Sequence, residues 1–154
     1  MVKGENLTHE AYNLFRKNGV SCSLLRDNLK INNASCHVTY SNLTCNYYWF
    51  GIPKEKIIEE VNEGYKFIIL IGGQSNSKEF FIIPLEYFLR IAEKYPLNRG
   101  RWLLYVSPIL NNSEILLFYP RKTSEKIKTS AFLNNFESLN ISKEICDKIR
   151  KQIK

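Results

Sequence analysis

Few residues in this chain have the types and spacing that chemistry needs. Nucleophilic catalysis wants a Ser or Cys beside a base and an orienting carboxylate, and only two histidines, His9 and His37, are present. His37 is the reasonable base of the two. The alternation of Ser35–Tyr40 puts it on a strand, where a structural or solvent-facing role is expected. Cys22, Cys36, Cys45 and Cys146 contain no C-x-x-C pair, and neither histidine extends them into a zinc pattern. Reduced, mostly buried thiols are expected. Gly72-Gly73 follows an apolar run but belongs to no phosphate-cradling motif, which predicts a polar loop over Gly72–Lys78. Metal-dependent phosphodiester cleavage needs convergent carboxylates. Asp27 is the sole carboxylate between Val20 and Pro53, so such a site would have to draw on Glu55, Glu59 or Glu79. No metal or cofactor site is expected. Without a complete catalytic constellation, the chain reads as a binding module rather than an enzyme.

The residues left with functional potential are aromatic and basic. Tyr47 and Trp49 share one face of an aromatic strand, while Tyr48 and Phe50 share the other. One of those faces must be core, and the other is a candidate for ligand contact. Arg99 and Arg101 flank Gly100 in a loop, and Arg121-Lys122 follow Pro120. Loop arginines suit phosphate contacts and bidentate readout of guanine, and aromatic rings can stack on a base or close a pocket around an extruded one. Tyr47, Trp49, Arg99, Arg101, Arg121 and Lys122 are therefore the predicted DNA-binding residues.

Charge points the same way. The net charge is +7, with 13 basic against 11 acidic residues up to position 120 and 9 against 4 beyond it. A basic excess concentrated near one end favours a polyanionic partner. The longest apolar run, Phe67–Ile71, is far below the ~20 residues of a membrane span, and the polar start, Met1–Asn6, has no apolar signal core behind it. A cytoplasmic protein without membrane contact is expected.

Those residues must be positioned by alternating short elements. At 154 residues and 44% hydrophobic content the chain suits one domain over 1–154. Thr8 is the expected cap of a first helix carrying Ala11, Leu14 and Phe15, and Gly19 ends it. Strands are expected near 20–25, 30–31, 35–40, 46–52, 66–71, 80–83, 102–106 and 115–119. Turns are expected at Asp27-Asn28, Asn32-Asn33 and Ser41-Asn42, and through Pro108 and Asn111-Asn112. Pro53 and Pro84 open helices. Ser142 caps a basic C-terminal helix at about 142–154, whose Ile145, Ile149 and Ile153 form a stripe that could dock a protein partner. The class is α+β and strand-rich: an open pseudobarrel or curved mixed sheet of about seven strands with flanking helices.

The succession Tyr47–Ile52, Lys66–Ile71, Phe80–Pro84 with a helix behind it, and Arg101–Val106 resembles the B3-like DNA-recognition domains of prokaryotic restriction endonucleases. That resemblance implies an open pseudobarrel gripping double-stranded DNA, with sequence- or modification-specific recognition, as part of a restriction or defence system working beside a separate nuclease or motor subunit. A variant of it reads methylated DNA by flipping the modified base into an aromatic pocket near Trp49. The order helix, three strands, helix, strand is similar to a degenerate PD-(D/E)XK nuclease core. This second resemblance also implies DNA, but the run Cys36–Ser41 lacks the E-x-K it would need.

Overall fold

The computed structural model describes residues 6–74, 77–108 and 115–154. Helix α1 (Leu7–Lys17) is capped by Asn6, whose Oδ1 accepts from the backbone N–H groups of Thr8 and His9 at 3.0 and 3.2 Å. Asn caps as well as Thr does, so the helix starts ahead of its expected cap and Thr8 is buried inside it. Strands β1 (Cys22–Leu25), β2 (Asn28–Ile31) and β3 (Ala34–Asn42) form an antiparallel meander with two-residue turns. Arg26 and Asn32 take the left-handed conformation these turns require, with φ of 59° and 54°. The first turn is therefore Arg26-Asp27, with Asn28 already in β2.

Strand β4 (Tyr48–Pro53) leads directly into α2 (Lys54–Asn62), and β6 (Ser77–Pro84) leads into α3 (Leu85–Ala92) by the same device. In each case an Ile-Pro pair ends the strand, the proline caps the helix, and a glutamate (Glu55 or Glu86) sits in the first turn, where the helix dipole favours it. The other elements are β5 (Phe67–Gln74), β7 (Arg101–Val106), β8 (Ile115–Phe118), β9 (Ile127–Lys128) and α4 (Lys143–Gln152).

The protein is α+β. Its nine strands, counted among the described residues, lie in two open sheets rather than in one of about seven. The first is mixed, in the order β1-β2-β3-β5-β6, with β3 and β5 parallel; the second is antiparallel, in the order β4-β7-β8-β9. Each of α2 and α3 carries the chain between the sheets. Both faces of β5 are buried, as its apolar run predicts. Ile69 and Ile71 face a core shared with α1 and α4, while Ile68 and Leu70 face a second core closed by α2, α3 and the second sheet.

Two further regions differ from the sequence expectation. Residues 72–74 and 77–78 are strand, not loop, because the glycines allow close approach from outside the sheet. Tyr48 packs directly on Gly72, and Leu7 packs on Gly73. The isoleucine stripe of α4 is not a docking face: Ile149 and Ile153 are buried in the chain's own core, with Ile145 packed against them. The expected turn through Asn111-Asn112 lies outside the described residues. No helix of the described residues is long and apolar enough to cross a membrane.

Candidate functional site

Alternation along the second sheet separates a buried face from an outer one. Tyr48, Phe50 and Ile52 of β4 enter the core together with Trp102, Leu104 and Val106 of β7. Trp49 and Gly51 of β4, with Arg101, Leu103 and Tyr105 of β7, therefore point outward. The register pairs Trp49 with Tyr105, Gly51 with Leu103 and Pro53 with Arg101. Not one of the four strands contains Asp or Glu.

At one end of this face three rings stand nearly at right angles to one another. Trp49 and Tyr105 have centroids 4.5 Å apart at 82°, Tyr47 and Tyr105 6.3 Å at 72°, and Tyr47 and Trp49 6.5 Å at 82°. Edge-to-face pairing of this kind satisfies the ring quadrupoles. The Arg121 guanidinium lies 5.1 Å from the Tyr105 centroid and 5.3 Å from that of Tyr47, a double cation–π contact. Together these groups cover Tyr105, which is only 7% exposed on an outward face, whereas Trp49 keeps 42%.

Trp49 is open but fixed. Its Nε1–H donates to the Thr44 carbonyl at 2.8 Å, and its backbone N–H donates to Ser41 Oγ at 3.0 Å. The Thr44 anchor belongs to a tight turn through Cys45 and Asn46, at φ 51° and 70°, closed by reciprocal Thr44–Tyr47 backbone bonds. Behind Trp49, β4 is pinned to the first sheet. The Tyr48 hydroxyl donates to Glu79 at 2.6 Å and accepts from Gln74 at 2.9 Å. Burial, then the bond to Glu79, pushes the Tyr48 phenol well above its ordinary range.

Of the predicted residues, Tyr47, Trp49 and Arg121 thus form one cluster. Arg101 shares the face two register positions away, its side chain lying along Gly51. Arg99, at φ 52°, sits at the tip of the Asn98–Arg101 hairpin and lines a cleft with Lys54, Glu55 and Arg101. Lys122 is exposed beside Arg121 in the 3-10 turn Arg121–Thr123. Sequence reasoning missed Tyr105, which sits in an apolar strand. The usable signal was the alternation of Arg101, Leu103 and Tyr105 against Trp102, Leu104 and Val106.

The potential catalytic groups are placed differently. His37 Nδ1 lies 2.7 Å from Glu60 Oε1, and Glu60 Oε2 accepts from Asn28 Nδ2 at 2.7 Å, while Asn28 Oδ1 accepts from the Val38 N–H. All three side chains are buried, so this network ties α2 to β2 and β3. Glu55 and Glu59 are exposed on α2, and Glu79 is buried beneath Tyr48. Among the described residues no three His, Cys, Asp or Glu side chains are grouped to hold a metal ion. On α4, Arg150 is engaged by Glu137 at 2.7 Å and by Asp147 at 2.8 Å, so the basic helix is partly neutralised. Comparison with models of protein families, with curated proteins and with solved structures finds no match.

Proposed function

We propose that the chain is a nucleic-acid-binding module and that the outer face of the second sheet is its contact surface. The observation that carries this is the Trp49–Tyr105–Tyr47–Arg121 cluster on four strands that contain no carboxylate. A fixed, exposed indole offers a flat aromatic face, and base–aromatic stacking gives it a ligand. Arg99 and Arg101 at one end of the strands, and Arg121 and Lys122 beyond β8, supply cations for phosphates.

Recognition of double-stranded DNA, by sequence or methylation, is the form of the proposal that the B3-like resemblance supports. It brings with it a restriction or defence setting, a separate nuclease or motor subunit, and a cytoplasmic location. The test is anisotropy titration of a labelled duplex, plain and methylated, across a range of salt. Expected is binding that weakens steeply with salt, with Arg101→Gln and Lys122→Gln each reducing the slope of log K against log salt by about 1. Lys148→Gln, on α4, leaves the slope unchanged. Absence of binding at low salt, for plain and methylated duplex alike, overturns the double-stranded form of the proposal, and absence of binding to single strands as well overturns the nucleic-acid reading itself.

A further inference from the structure

The shape of the outer face narrows the ligand. The space between Tyr47 and Tyr105 is taken by the chain's own guanidinium, Arg121. That arrangement leaves no room to enclose an extruded base between those two rings. The ring open to a ligand is Trp49, at 42% exposure, and it is held from behind by Thr44, Ser41 and Tyr105. Next to it on the same face is Gly51, which has no side chain, and the Arg101 side chain lies across that gap. Two strand residues span about 7 Å, so an aromatic platform and a guanidinium stand about one nucleotide apart along β4.

A paired base hides its faces in the duplex stack, so a fixed indole on a sheet face cannot stack on one without unstacking the duplex. An unpaired base offers its whole face to such a platform. Resting on the nucleic-acid reading above, we propose that this surface binds single-stranded nucleic acid. One base stacks on Trp49, and its phosphate lies over Gly51 beside Arg101. The rigid mounting of the indole means that no side-chain ordering is needed on binding.

Intrinsic fluorescence tests this directly, because Trp102 is 2% exposed in the core and Trp49 is the one open tryptophan. The probes are unlabelled oligothymidylate, oligouridylate and a blunt DNA duplex, at low salt. Expected is quenching by the single strands and not by the duplex. Both Trp49 variants lack the reporter and are read instead by anisotropy of a labelled oligothymidylate: Trp49→Ala should weaken single-strand affinity by about 5- to 150-fold, the range of one base–aromatic stack, while Trp49→Phe retains most of it. Oligodeoxyuridylate, which shares its base with oligouridylate and its sugar with oligothymidylate, assigns the strand: a weaker response than to oligouridylate marks RNA, and an equal or stronger one marks DNA. Salt-sensitive duplex binding at least as tight as single-strand binding, with fluorescence unchanged, overturns this inference and leaves the nucleic-acid reading standing. No binding by any of the probes overturns both.

Discussion

Tyr48 packs directly on Gly72, and its hydroxyl reaches across to Glu79 on the neighbouring strand. This one contact joins the two sheets behind the aromatic face. A Cβ at Gly72 would lie far inside van der Waals contact with the nearest Tyr48 ring carbons, although the backbone conformation there suits any residue. Gly72→Ala should therefore destabilise the fold through overpacking alone, by about 1–3 kcal/mol. Gly51→Ala is the control, since its added Cβ meets only ordinary contacts at 3.7–3.8 Å. Urea denaturation should place it within about 0.5 kcal/mol of wild type.

Glu60 accepts from two buried partners, so removing it strands both. Glu60→Ala should cost about 3 kcal/mol or more, because Asn28 and His37 lose their common acceptor. Glu59→Ala, one residue away on the exposed side of α2, should be near neutral. Equal midpoints for the two variants in chemical denaturation would contradict the pinning role of the network.

The Arg150 guanidinium holds the Glu137 carboxyl down at about 2. A carboxylate depressed on folding stabilises above its unfolded value, near 4.5, and that contribution is lost as pH falls toward 2. Glu137→Gln should therefore melt lower than wild type at pH 7 but lose less on acidification between those limits. Thermal melts at pH 7, 4 and 3 check the crossing slopes.

Burial raises the thiols of Cys22 and Cys146 to about 11 and that of Cys36 to about 12, while Cys45 is exposed in its turn. A thiol reagent near neutral pH should modify one cysteine quickly and the other three only as the protein unfolds. Cys45→Ser should abolish the fast phase and leave the slow one.

Much of this architecture is local and was legible as such. The alternation in Tyr47–Phe50 separates a core face from an open one, and the Ile-Pro pairs mark where strands become helices. What escaped was non-local. Gly72-Gly73 looks like a loop until Tyr48 and Leu7, distant in sequence, take up the space their missing side chains leave. Tyr105 looks like core until β4 and β7 pair and bring it against Trp49. Arg121 reads as one loop cation, and only the second sheet lays it over two rings. The isoleucines of α4 do form a stripe, but periodicity does not say whether the chain itself covers them.

Strand β4 belongs to the second sheet yet precedes β5, while β7, its only ladder partner among the described residues, follows α3. During synthesis the first sheet can therefore close while Tyr48-Trp49-Phe50 still waits for Arg101–Val106 to emerge. Through that interval the nascent chain carries an aromatic strand with unsatisfied edges, the kind of segment that recruits other chains. Pro53 at its end, with Lys54 and Lys56 immediately after, places a proline and two positive charges where such recruitment would begin, so the residues that launch α2 are also of the kind that blunts an exposed strand.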